Sequence, residues 1–136
     1  MAFDFEFLLK VILVVILGGV IGYEREIRHR PAGFRTHILV ALGAMLITVV
    51  STQFFQNADP SRIAAGIITG IGFLGAGAII GARERIIGLT TAATLWVVAA
   101  VGLAIGASLY VEAIIVAVLV FIVLEMSSIF GIKTKG

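Results

Sequence analysis

The chain has 136 residues, 60% of them hydrophobic and 13% charged, with a formal net charge of +2. A soluble domain would carry about 25% charged residues, and the apolar residues here come in long blocks, so the composition excludes an ordinary soluble domain and indicates an all-α integral membrane protein, a compact bundle of five transmembrane helices. There is no cysteine, which excludes disulfides and thiolate metal sites, and nucleic-acid binding is not expected because most basic residues flank the apolar blocks.

The first span runs from Phe5 to Gly22. It begins among Asp4 and Glu6 instead of a basic segment, and no small-residue cleavage site follows it, so it reads as a retained membrane helix and not a signal peptide. Lys10 lies about one and a half turns inside it and is expected to snorkel outward. Next comes the polar segment GYEREIRHRPAGFRTHILV, residues 22–40, with four arginines, two glutamates and two histidines. Pro31 and Gly33 break the chain there. If the first helix continues past Tyr23, Glu24 and Arg28 fall four apart, as do Glu26 and Arg30, with the acid on the favourable N-terminal side. Exposed pairs of this kind are worth only about 0.3–0.5 kcal/mol each, so stability does not account for the cluster.

Two readings of this hairpin stay open. One is a topology anchor that binds anionic headgroups, at about 1 kcal/mol per basic residue. The other is a cytoplasmic docking or gating surface built from Glu24, Arg25, Glu26, Arg28, Arg30, Arg35, Thr36 and His37. The two glutamates favour the second, since an anchor needs only cations. His37 reads as an interfacial residue held by backbone or headgroup contacts, with a proton relay as the alternative.

The second span covers Arg35 to Phe55. An outer loop with Asn57, Asp59 and Arg62 leads through Pro60 into the third, Ser61 to Gly81. Glycines stand at 66, 70, 72, 75, 77 and 81. Gly66/Gly70 and Gly77/Gly81 are G-x-x-x-G pairs, as are Gly18/Gly22 and Gly102/Gly106. Small residues let helices approach closely in lipid, so the third span, with Gly70, Gly72, Gly75 and Gly77, is expected to be the central, most enclosed helix. A broken helix lining a polar cavity is the alternative. Gly70, Gly72 and Gly75 also match G-x-G-x-x-G, but in mid-membrane and without a strand–helix context, so a dinucleotide site is rejected.

The fourth span, Gly88 to Leu109, opens with Thr90, Thr91 and Thr94, which can bond to their own helix or to neighbours. Trp96 lies too deep for an interfacial belt and is expected to pack within the bundle. The fifth span is Val111 to Phe130, with Glu125 near its inner end and expected to snorkel. Arg25, Arg28, Arg30, Arg35, Arg83, Arg85, Lys133 and Lys135 fall on one side, against Lys10 and Arg62 on the other. The positive-inside rule then puts the N-terminus outside and the C-terminus in the cytoplasm. No cage of oxygen ligands and no catalytic constellation is visible, so no metal, cofactor or enzymatic activity is expected, and a Mg²⁺ pore within one subunit is disfavoured. The number of G-x-x-x-G faces suggests a homodimer.

The stretch GGVIGYEREIRHRPAGFRTHILVALGAMLITVVS, followed by DPSRIAAGIITGIGFLGAGAII and GLTTAATLWVVAAVGLAIG, resembles the signature of the MgtC/SapB family of bacterial and archaeal membrane proteins. The resemblance runs from about Leu8 to Tyr110. It implies a five-span domain of the inner membrane with the N-terminus outside. It further implies a role in growth at low magnesium, acid tolerance or survival in host cells, as a regulator acting on the F-type ATP synthase. The alternative is a small-cation (Mg²⁺ or H⁺) permease or channel working as an oligomer. The family motif marks Glu24, Arg25, Glu26, Arg30, Pro31, Gly33, Arg35 and Thr36, then Arg62, Gly70, Gly72, Gly75 and Gly77, and then Thr90, Thr91 and Trp96. A basic residue near Lys10 is also common in the family. Many members carry a soluble C-terminal domain resembling an ACT fold. With residues 1–136 read as a single transmembrane domain, that domain is expected to be absent.

Overall fold

A computed structural model describes residues 5–54, 59–80 and 87–129, with side chains at all of these except 54, 80 and 127–129. Asn57, Gly81, Arg83, Arg85, Lys133 and Lys135 lie outside the described residues. Within them the chain forms five helices and no strands: α1 (Phe5–Ile27), α2 (Phe34–Phe54), α3 (Pro60–Ile80), α4 (Leu89–Gly106) and α5 (Tyr110–Ile129). The first four are long and apolar enough to cross a membrane. α5 has 20 residues, with Glu112 in its first turn and Glu125 towards its end.

Local chemistry sets the ends. α1 runs five residues past the expected limit at Gly22, carried by YEREI. It closes in a Schellman motif: the Arg30 N–H bonds the Arg25 carbonyl, the His29 N–H bonds that of Glu26, and His29 takes the left-handed conformation (φ 52°). The turn after α4 repeats the device, with Ser108 at φ 64° and bonds from Leu109 to Ala104 and from Ser108 to Ile105. α3 begins with Pro60, whose missing N–H costs nothing at a first helical position, and the Asp59 carboxylate accepts the Ser61 N–H at 2.9 Å.

α4 is the centre of the bundle and touches all four other helices, whereas α3 touches only α4 and, sparsely, α2. Half of the α4 span window is buried, against 11% for α3. The core is built from Val14 and Ile21 of α1, Ala41 and Met45 of α2, and Leu95, Val98, Ala99, Val101 and Ile105 of α4.

The expectation that the third span is central and enclosed is therefore corrected. A side chain placed at Gly66, Gly70, Gly72 or Gly77 would meet nothing within 4 Å, and of these helix glycines only Gly75 faces a neighbour, Ala92 at 3.5 Å. Helix geometry gives the reason. At about 100° per residue, Gly66, Gly70 and Gly77 share one face, while Gly75 lies opposite and Gly72 to one side, so they cannot serve one seam together. The close approaches are made by the other glycine pairs. A Cβ at Gly102 would fall on the Ala41 carbonyl, one at Gly106 would come within 2.8 Å of the Met45 oxygen, and one at Gly22 would lie 2.8 Å from the Phe34 Cα.

Candidate functional site at the α1–α2 hairpin

The hairpin is organised by its two glutamates. Glu24 is 1% exposed and Arg25 is 4% exposed. Both Glu24 oxygens are engaged by Arg25, one by Nε and the other by Nη2 at 2.7 Å, which is the bidentate geometry that suits a guanidinium. Arg28 Nε lies 3.5 Å from Glu24 Oε1, so the first expected i,i+4 pair is present. The same Arg28 donates from Nη2 to Glu125 of α5 at 3.1 Å. Glu125 is thus held by the hairpin, where snorkelling was expected.

Glu26 has a different task. Its Oε2 accepts the Phe34 N–H at 2.8 Å and so satisfies an orphan donor at the start of α2. The carboxylate occupies the space beside Gly33 that a side chain there would need. Arg30 lies beyond Ile27, the last residue of α1. Arg30 is half-buried and Arg35 exposed.

His37 was expected at the interface and is instead fully buried, 0% exposed. Its Nδ1 lies 2.9 Å from the Gly33 carbonyl and its Nε2 lies 3.1 Å from the Thr94 hydroxyl. A carbonyl only accepts, so Nδ1 carries a proton. The Thr94 hydroxyl donates to the Thr91 carbonyl at 2.8 Å, and its oxygen lies between that carbonyl and His37 Nε2. Thr91 and Thr94 are buried, and Thr94 ties α4 to α2 through His37, whereas Thr90 is exposed. Trp96 is 48% exposed, against the expectation of packing within the bundle: the inward face of α4 is taken by Thr91, Leu95, Val98 and Gly102, and Trp96 projects beside it.

A long crevice separates α2 from α3. Its outer part, the one extending away from the hairpin, is an open groove of about 650 Å³ that runs from Ser51 and Ile63 to Thr36 and Leu74, along Gly43, Gly66 and Gly70. An inner part of about 460 Å³ shares Thr36 and Leu74 and continues under the hairpin past Pro31, Ala32 and Gly77. Thr36 and Ser51 are the polar side chains of the outer lining; the rest is apolar.

At the opposite end, Lys10 is buried, where snorkelling was expected. Its Nζ donates to the Gly106 carbonyl at 3.2 Å and pairs with Glu6 at 3.0 Å. Gly106 ends α4, where carbonyls lack partners and the helix dipole favours a cation. Glu6 also accepts from Ser108 and Tyr110, so this clasp joins α1 to the α4–α5 turn. Asp59 and Arg62 remain exposed at the start of α3, and the Ser61 N–H holds the Asp59 carboxyl below its usual range.

Sequence reasoning missed Glu125 as the partner of Arg28, and Ser108 and Tyr110 as partners of Glu6. The signal for Glu125 was available: it is an isolated acid at the end of the fifth span that the charge pattern assigns to the hairpin's side. Among the described residues no group of three His, Asp or Glu is placed to hold a metal ion.

Comparison with known proteins agrees with this architecture. The model of the MgtC family matches residues 11–131. A protein of Escherichia coli K12 named "Putative magnesium transporter YhiD" is 44% identical over 129 residues, covering 89% of this chain and 60% of that protein. "Protein MgtC" of Brucella abortus is 49% identical over 108 residues, covering 79% of this chain and 45% of its own. An uncharacterized Synechocystis protein is 44% identical over 117 residues, covering 86% and 50%. The chain thus spans about half the length of the curated relatives it matches. No solved structure matches it. With spans long enough for a bilayer and a family match over nearly the whole chain, this is a membrane protein that belongs to the MgtC family.

Proposed function

We propose that the chain acts in adaptation to low magnesium or acid as a regulator of a membrane partner, such as the F-type ATP synthase. In this reading it is a multi-pass protein of the cytoplasmic membrane, with the N-terminus outside and the hairpin in the cytoplasm. It is not an enzyme, and it works as a homodimer. The observation that carries the reading is the fixed hairpin. Glu24 locks it to α1 and, through Arg28 and Glu125, to α5, while Glu26 fixes the start of α2. Tyr23, Ile27, Phe34 and Arg35 are left exposed at that end. A rigid surface that mixes aromatic and arginine side chains is suited to a protein partner. The glutamates thus build the surface, and the contact falls to Arg35 and its neighbours.

The second reading is a Mg²⁺ or H⁺ permease working as an oligomer, favoured by the printed name of the Escherichia coli relative. Against it stands the largely apolar lining of the crevice, since a hydrated cation needs oxygen ligands along its path. The test is ion flux in liposomes together with growth at low magnesium. Flux no higher than in empty vesicles, with growth lost in Arg35→Ala at normal protein levels, supports the regulator. Flux abolished by substitutions along α3 replaces it with the permease.

A further inference from the structure

The α2–α3 crevice is an unusual object in a small bundle. Two neighbouring helices stand apart along most of their length, and the gap is opened by glycine: Gly66 and Gly70 in its outer part and Gly77 in its inner part, all on one face of α3. The shape decides what fits. From Thr36 to Ser51 the crevice follows 15 residues of α2, about 22 Å at the helical rise. A volume of about 650 Å³ spread over that length makes an elongated apolar groove, the shape and polarity of a hydrocarbon chain. The lining agrees, being apolar between Thr36 at one end and Ser51 at the other.

The inner mouth supplies charge. Three of the inner lining residues, Pro31, Ala32 and Thr36, come from the hairpin segment that also holds Arg30 and Arg35, and no acidic residue occurs from 27 to 40. Arg28 is engaged by Glu24 and Glu125, whereas Arg35 is exposed. The Glu26 carboxylate already meets the start of α2 through the Phe34 N–H, so the charge offered to a headgroup there is that of the arginines.

We propose that the crevice between α2 and α3 binds one anionic phospholipid of the hairpin-side leaflet, with an acyl chain along Gly66, Gly70 and Gly77 and the headgroup phosphate at the Arg30–Thr36 segment. Gly66, Gly70 and Gly77 then serve to seat a lipid chain, which explains why a side chain at any of them would meet nothing within 4 Å. The site shares Arg35 with the functional reading above but does not rest on it, because lipid retention is read on the purified chain without a partner and through Gly70 and Gly66 as well.

The test uses the full chain purified in mild detergent, with phosphatidylglycerol or phosphatidylcholine of identical acyl chains added and bound lipid counted by native mass spectrometry. One phosphatidylglycerol per chain is expected, with phosphatidylcholine held more weakly. Gly70→Leu places a side chain in the crevice at a position whose Cβ meets nothing within 4 Å and is expected to reduce bound phosphatidylglycerol to background without lowering the melting temperature; Gly66→Leu gives the same readout should the first variant misfold. Arg35→Gln is expected to weaken phosphatidylglycerol about fivefold, as for one basic residue at a membrane surface, and to leave phosphatidylcholine unchanged. Equal retention of the two lipids, or undiminished lipid in folded Gly70→Leu and Gly66→Leu, overturns the site. Loss of self-association in those variants with lipid unchanged overturns it in favour of a second copy as the occupant.

Discussion

Helices α3 and α4 are both glycine-bearing and both apolar, and they occupy opposite positions in the bundle. α4 is enclosed by four neighbours, and its Gly102 and Gly106 lie directly on the backbone and side chains of α2 at Ala41, Met45 and Thr48. α3 leans on α4 along one face and leaves the rest uncovered, with Phe73 81% exposed. The difference shows that a G-x-x-x-G pair permits a close approach but does not create one. The approach also needs a facing element with something to gain, and α2 offers a buried polar seam as well as small residues. Thr94 of α4 meets His37 there, near the buried Glu24 and Arg25. α3 offers no such partner groups, and its glycines point in several directions.

The contrast can be broken most severely at the closed side. Replacing Glu24 with alanine leaves Arg25 buried without its carboxylate and frees Arg28; a loss of about 3–5 kcal/mol is expected, as for breaking a buried pair, read from denaturant or thermal unfolding in detergent. Thr94→Val removes the hydroxyl that His37 Nε2 needs and should cost about 1–3 kcal/mol, whereas the same change at exposed Thr90 should be nearly neutral. His29→Gly relieves a left-handed non-glycine residue and should raise stability by up to about 1 kcal/mol; a loss of stability would show that the His29 side chain has a role in the hairpin. The smallest effect belongs to the open side. The Asp59 carboxyl is held below its usual value by the Ser61 N–H, so its contribution is complete above the unfolded value of about 3.9 and is lost as pH falls through the lower folded value. Hydrogen-exchange protection at the start of α3 should fall on acidification in that window, and Asp59→Asn should remove the pH dependence.

Much of this architecture was legible in the sequence. The apolar blocks, bounded by Pro31, Gly33, Pro60 and Gly88, located five helices to within a few residues, because hydrophobic length and backbone punctuation act locally. The overrun of α1 to Ile27 was legible only conditionally, through the spacing of Glu24 and Arg28. What could not be read is which face meets which helix. Lys10 and Glu125 seemed free to snorkel because their partners, the Gly106 carbonyl and Arg28, are nearly a hundred residues away. His37 appeared interfacial because its depth is set by α4. The contacts of the two glutamates were equally illegible: Glu24 is buried on Arg25 and Arg28, while exposed Glu26 accepts the Phe34 N–H, and together they frame the segment that carries Phe34 and Arg35.

The central claim is that α4 is the enclosed helix and α3 the open one. The most direct test compares Gly102→Leu with Gly72→Leu in monodisperse monomer, by thermal unfolding in detergent. Gly102→Leu forces a side chain onto the Ala41 carbonyl and should cost at least the 1–3 kcal/mol typical of overpacking, seen as a large fall in melting temperature or as failure to fold. Gly72→Leu has open space and should stay within about 0.5 kcal/mol of the parent. Equal destabilisation by the two, or a larger fall for Gly72→Leu, would place α3 inside the bundle and contradict this account.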